Sequence, residues 1–154
     1  MKFEKVSNYP DAVIPTRATK GSAGYDFTVV EDTYCHPGEV TYVPTGIKMQ
    51  IDEGYDLRLS LRSSAPKKFG ILLANGIGII DSDYYNNPDN EGHIMFAIIP
   101  IKDTVLLRKG TRIGQGVIEK YGLTDDDYIE TIRTGGFGST DTEDSLSHLI
   151  FNIN

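Results

Sequence analysis

A carboxylate delivered to the end of a short apolar run is the feature of this chain best suited to chemistry. Asn75-Gly76-Ile77-Gly78-Ile79-Ile80-Asp81-Ser82-Asp83-Tyr84 sets glycines ahead of Ile79 and Ile80 and closes the run on Asp81. Glycine lets main-chain N–H and C=O groups approach a flat polar ligand with no Cβ in the way. Asn75 adds a side chain that both donates and accepts, and a carboxylate so placed can take a proton from water. Read alone, the same stretch is also an ordinary hairpin connection with an acidic end. Arg62-Ser63-Ser64 offers a guanidinium, hydroxyls and main-chain N–H groups where a strand ends, the donor set that a phosphate chain requires, although a plain strand-end cap has the same composition. Arg133-Thr134-Gly135-Gly136-Phe137-Gly138-Ser139-Thr140 is too glycine-rich for a core strand. Ordered over a ligand, it would stack Phe137 on a flat ring while glycine N–H groups, Ser139 and Thr140 hold phosphates; otherwise it is a flexible linker. Asp26 is either a turn carboxylate or one that faces a cation or its water shell.

The elements that must position these groups read as strands. Tyr25 to Val30, Glu39 to Val43, Ile47 to Ile51 and Tyr55 to Leu61 carry apolar residues with a period of two, separated by turns at His36-Pro37-Gly38, Pro44-Thr45-Gly46 and Asp52-Glu53-Gly54. Arg58 falls on the solvated side of the last of these strands. Ala65 to Gly70 reads as a helical turn or loop, and Asn75 to Asp81 as a tight hairpin that closes on an apolar return strand from His93 to Ile99. His93 has no second histidine or carboxylate at metal-ligand spacing and is expected to be a surface or strand histidine. Thr104 to Leu107 and the run after Gly110-Thr111-Arg112-Ile113-Gly114-Gln115 supply the last strands.

The length of 154 residues fits one domain with a real core, and 16 glycines with 9 tyrosines favour strands and turns over helices. A net charge of -7 argues against a surface that wraps a nucleic-acid polymer, yet allows one small phosphorylated ligand neutralised locally. Cys35 is the only cysteine, so a disulfide within the chain and a thiolate cluster are excluded, which fits a reducing compartment. The charged start and the lack of an apolar run of roughly 18 residues point away from a membrane and to the cytoplasm.

In order and spacing, Ala23-Gly24-Tyr25-Asp26-Phe27, Arg62-Ser63-Ser64-Ala65, Asn75 to Tyr84, Gly110 to Gln115 and Gly135 to Thr140 resemble the motifs of the trimeric deoxyuridine triphosphatases (dUTPases). The resemblance implies an all-β, jelly-roll-like subunit with little helix, a homotrimer with active sites shared between chains, and hydrolysis of dUTP to dUMP and pyrophosphate. It divides the chain into a β-rich core over 1–132, a glycine-rich arm over 133–140 that closes a neighbour's site, and a tail over 141–154 of unassigned role. Asp81 would be the general base that activates water. Mg²⁺ would ride on the triphosphate with Asp26 touching its water shell. Asn75, Gly78, Ile79 and Ile80 would read uracil, Tyr84 and Met95 would meet the sugar, and Arg62, Ser63, Ser64 and Gln115 would hold phosphates. Arg133, Phe137, Gly138, Ser139 and Thr140 would come from the arm.

This chain departs from the family pattern in places. Leu61 stands where proline is usual, Ser64 where glycine is commoner, and Gly114 where alanine is usual. The stretch after Tyr84 is longer than in compact members, Thr134 alone separates Arg133 from the paired glycines, and Asp141 replaces a glycine. The related dCTP deaminases share the R-S-S element, but they follow it with arginine where Lys67 stands and place a glutamate in the later hairpin. A non-catalytic module of the same fold that binds dUTP or a protein is the other alternative, and intact Asp26 and Asp81 count against it.

Overall fold

The computed structural model describes residues 1–136. Phe137, Gly138, Ser139, Thr140 and the tail from 141 to 154 lie outside the described residues. Alternating runs and short continuous apolar runs give eleven strands among the described residues, β1 (Lys2–Lys5), β2 (Thr16–Arg17), β3 (Tyr25–Thr28), β4 (Thr33–Cys35), β5 (Thr41–Gln50), β6 (Tyr55–Leu61), β7 (Ile71–Leu73), β8 (Gly78–Ile80), β9 (Ile94–Pro100), β10 (Val105–Leu107) and β11 (Arg112–Lys120). One short helix, α1 (Ala65–Phe69), has proline in its first turn and ends on Gly70 in the left-handed conformation.

The strands form a sheet ordered β1-β5-β9-β7, a sheet ordered β2-β3-β11-β6-β8, and the ribbon β10-β4. Every pairing is antiparallel. The inward faces of the two larger sheets meet in one core: Phe27, Leu57, Leu59 and Ile113 from one side, Val43, Met49, Phe96 and Ile98 from the other. Phe27 and Phe96 meet edge to face at 5.7 Å between ring centroids, which couples the layers at their centre. The result is the jelly-roll-like β-sandwich that the motifs implied. Cys35 is fully buried, and burial pushes its thiol up from the ordinary range.

Several local expectations are corrected. Pro44-Thr45-Gly46 is no turn between separate strands: β5 runs through it, and its register with β9 shifts between Pro44 and Ile47 as a bulge. Gly46 there has φ +71, and a Cβ on it would lie 2.7 Å from the Ala12 side chain. The bulge holds because the Gly46 N–H donates to Nε2 of His93 at 2.8 Å and the Thr45 hydroxyl donates to the Ile94 carbonyl. His93 is therefore a buried acceptor rather than a surface residue, and burial lowers its pKa.

The second correction concerns Asn75 to Asp81. The strands on either side of the Ala74–Ile77 turn do not pair with each other as a hairpin. β7 pairs with β9 in one sheet, and β8 pairs with β6 in the other, so the turn crosses between layers. Nor does β9 close on β8. The sequence carries the turn chemistry but not the partner, because an apolar three-residue strand satisfies its ladder equally well in either sheet.

Candidate active site

The side-by-side strands β3, β11 and β6 assemble one cluster. Asp26 lies opposite Gln115, and Gln115 lies opposite Ser60, so the functional side chains of three strands gather at one end of the sheet. Arg62 Nε is 3.5 Å from one Asp26 oxygen and Arg112 Nη1 is 3.5 Å from the other. The Gln115 amide lies across Gly24, where a Cβ would come within 2.4 Å of its Oε1, and donates to the Ser60 hydroxyl at 3.4 Å. Gly24, Asp26, Arg62, Ser63 and Gln115 line a cavity of about 160 Å³. Two guanidiniums against one carboxylate leave it electropositive, with hydroxyl and amide donors added, which suits a phosphate chain. Ser64 sits apart, exposed at the start of α1, outside this lining.

Asp26 is one carboxylate, and among the described residues no group of three or more His, Cys, Asp or Glu converges to hold a metal. The donors present thus fit a Mg²⁺ carried by substrate oxygens and touched by Asp26 through water, rather than an ion held by protein alone.

The other half of the chemistry lies on β8. Gly76 takes φ +71, which frees its turn, and the Ile77 N–H donates to the Asn75 carbonyl at 2.8 Å. β8 is an edge strand paired only with β6, and among the described residues no strand covers its outer side. Its outward main-chain groups are free to pair with a flat base. Gly78 packs so near Leu59 that a Cβ would sit at 3.2 Å, while Asn75 and Ile79 are exposed and Ile80 is half-buried.

Asp81 follows in extended geometry, and its carbonyl accepts from Tyr84 N–H to start a 3₁₀ turn over Ser82–Tyr84. Its carboxylate is half exposed and pairs with Arg133 Nη2 at 2.6 Å, while Arg133 Nε donates to Asp83 at 3.0 Å. Burial raises the Asp81 pKa; the charges of Asp83 and Asp56 add to this, and Arg133 opposes it. Tyr84 is buried, its hydroxyl donating to the His93 carbonyl at 2.7 Å and accepting from Asn90 Nδ2 at 2.9 Å. Met95 lies opposite Pro44 on the outward side of β9 and lines neither the cavity at Asp26 nor that at Asp81.

The two halves do not meet within one chain. Asp81 comes one residue past the Leu57–Ile80 pair, beside Asp56, whereas Arg62 and Ser63 leave the far end of β6. Arg62 lies six residue-to-residue steps beyond Asp56, about 20 Å of backbone at roughly 3.3 Å each. A general base must stand within about 3 Å of the water it activates.

Some contributors escaped the sequence reading. Arg112 was legible only as part of a glycine-rich motif, and its pairing with Asp26 follows from the register shift between Arg112 and Gly114. Asp83 was legible only as part of the Asn75 to Tyr84 motif, and Asp89 and Asn90 gave no signal beyond loop composition. Gly114 is explained by packing: a Cβ there would come 2.1 Å from Phe96 Cε1, so the aromatic ring occupies the space that alanine takes in the family pattern.

Comparison with known proteins agrees with this architecture. The family model described as dUTPase matches residues 10–141. A deoxyuridine 5'-triphosphate nucleotidohydrolase of Lactococcus lactis subsp. lactis is 45% identical over 143 residues, covering 90% of this chain and 95% of the relative. The enzyme of that name from Wolinella succinogenes is 34% identical, covering 91% and 94%. Among solved structures, the dUTPase of Streptococcus mutans superposes with a TM-score of 0.79 at 43% identity, covering 81% of this chain and 99% of that one.

Proposed function

The chain belongs to the dUTPase family, and from that premise we propose that it hydrolyses dUTP to dUMP and pyrophosphate, with Asp81 as the base that draws a proton from the attacking water. The reaction limits uracil available to DNA synthesis and supplies dUMP. The observation that carries the reading is the continuity of β8: a strand edge with free main-chain groups ends directly on a half-exposed carboxylate. Base recognition and water activation thereby share one rigid element. The relatives named as nucleotidohydrolases leave the deaminase and the non-catalytic module without support.

Asn75, Gly78, Ile79 and Ile80 read uracil, chiefly through the main-chain groups of the uncovered β8 edge. Tyr84 backs the sugar site from beneath, which disfavours a 2′-hydroxyl. Arg62, Ser63 and Gln115 hold phosphates, with Arg112 joining them through Asp26; Arg133 and the arm residues Phe137, Gly138, Ser139 and Thr140 complete the enclosure. Asp26 would hold a Mg²⁺ carried by the triphosphate through its water shell, and the ion would supply neutralisation of the charge on the leaving pyrophosphate. Asp81 holds and accepts the proton, and Arg133 keeps its carboxylate oriented until substrate arrives.

The distance between Asp81 and Arg62 along β6 supports a site built from more than one copy, and a homotrimer supplies the copies. Exposed Tyr42 and Leu72 lie on one outward sheet face with Ala97 and Ile99, their partners in register, an apolar surface suited to a second subunit. No helix of the described residues is long and apolar enough to cross a membrane. A cytoplasmic setting fits the single buried, unpaired cysteine.

Pyrophosphate release from dUTP, dCTP, dTTP and UTP with Mg²⁺ tests the assignment. dUTP should turn over far faster than the others, and Asp81→Asn should slow it by roughly 10²- to 10⁴-fold. Absence of dUTP turnover, or an Asp81→Asn enzyme as fast as the original, would sink the reading.

A further inference from the structure

Strand β6 carries a charged pair that the phosphate cluster does not use. Asp56 and Arg58 stand two residues apart and so share one face of the strand. Asp56 is buried, at 5% exposure, and the Arg58 fork closes on it with two bonds, Nε to Oδ1 at 3.0 Å and Nη2 to Oδ2 at 3.3 Å. A buried carboxylate is costly to ionise without a partner, so the guanidinium is what keeps Asp56 charged. Arg58 lies opposite Ile79 and Leu57 opposite Ile80, and this antiparallel register brings Asp56 beside Asp81 at the end of β8. The other ionisable groups around the two carboxylates are Asp83 and Arg133 next to Asp81, Glu53 and Tyr121 in the walls of its cavity, and Glu119 of β11 opposite Asp56. Burial raises the proton affinity of Asp81, Arg133 opposes it, and the charges of Asp83 and Asp56 add to it.

We propose that Asp56 and Arg58 are positioning residues for water activation: the Arg58 fork holds a charged carboxylate beside Asp81, and the balance of the two charges sets the pH above which Asp81 can accept a proton. An ordinary surface ion pair would do little. This pair differs because its negative member is buried and adjoins the base, where solvent screens a charge less than on an open surface. Removing the guanidinium would leave two carboxylates side by side, which raises their affinity for a proton. Removing the carboxylate would leave an uncompensated guanidinium on the same face, which lowers the proton affinity of Asp81. The two changes therefore act in opposite directions. A pair that served the fold alone would alter stability and leave the titration of Asp81 where it is.

The inference rests on the reading of Asp81 as general base, so its test includes a titration that needs no turnover. In full-length protein labelled with carbon-13 aspartate, the Asp81 carboxyl signal is assigned by its loss in Asp81→Asn and followed with pH by NMR. Asp56→Asn should lower the midpoint by about 0.5–1 pH unit and Arg58→Met should raise it by a similar amount, the effect of one nearby charge. Arg58→Lys keeps the charge and should return the midpoint close to the original. With dUTP and Mg²⁺, the acid limb of the kcat profile should move with each variant in the same direction as the midpoint. Midpoints that stay put, or that move the same way in Asp56→Asn and Arg58→Met, would overturn the proposal. So would an acid limb that stays fixed while the Asp81 midpoint moves. Failure of the unmodified protein to turn over dUTP would instead remove the hydrolytic reading and the role in water activation with it, leaving the NMR titration to decide whether the pair governs the protonation of Asp81.

Discussion

If Asp81 and Arg62 serve one substrate from different copies of the chain, two inactive variants should rescue each other. Asp81→Asn removes the base, and Arg62→Ala removes a guanidinium from the phosphate cluster; each homogeneous oligomer should lose at least about a hundredfold in turnover. About 20 Å of strand along β6 places the two groups near opposite ends of it within one chain. When the two variants are co-expressed in equal amounts and assemble at random, a site drawing Asp81 from one copy and Arg62 from another is intact about one time in four. Pyrophosphate release should then recover to about a quarter of the original rate, far above either parent. A second mixture sharpens the result. The double variant combined with original chain at equal amounts should give about one quarter if the groups come from different copies, and about one half if they come from the same copy. Mixed oligomers no more active than their parents, together with one half in the second mixture, would refute the shared site.

Two further outcomes follow from the packing. His93 is buried as a neutral acceptor, with Glu31, Glu91 and Tyr9 around it, and its folded pKa lies below the ordinary 6.5. The stability it contributes is complete above about 6.5 and is lost as pH falls toward its folded pKa, because the unfolded chain takes the proton first. Melting temperature should therefore fall more steeply between pH 7 and 5, about the range in which histidine titrates, for the original protein than for His93→Gln, which keeps an acceptor without titrating; parallel curves would contradict this. Gly114→Ala should destabilise by about 1–3 kcal/mol through overpacking on Phe96, and Phe96→Leu should relieve part of that cost. Urea unfolding of the single and double variants reads the coupling, and strict additivity would show that Phe96 is not the obstacle.

Much of this was legible from residue types. The period-two run located β6 and the apolar run after His93 located β9 closely, because a half-buried strand needs alternation and a strand buried on both faces a continuous apolar run. Gly24 and Gln115 were legible as neighbours only through their motifs, whereas the reason for the glycine, an amide lying across it, is tertiary. Pro44-Thr45-Gly46 misled because a bulge and a turn use the same residues; what separates them is whether the flanking strands keep one partner, as β5 does with β9. The pairing of β7 and β8 with different sheets was hidden for the same reason. His93 gave no sign of burial, since its acceptor role belongs to a bulge 47 residues away in sequence. Asp89 and Asn90 had only turn composition, and a hydrogen bond from Asp89 to Gly136 across 47 residues has no local signature.

The loop after Tyr84 departs from the core and returns to nearly the same place. The Asn86 N–H donates to the Glu91 carbonyl at 3.0 Å, and Asn86 and Glu91 both take positive φ, so the excursion is pinched at its neck. A pinched excursion behaves as a cassette: between its neck at Asn86 and Glu91 it can change length, provided that Asn90 keeps its bond to the Tyr84 hydroxyl and Gly92 its close packing on the Tyr84 backbone.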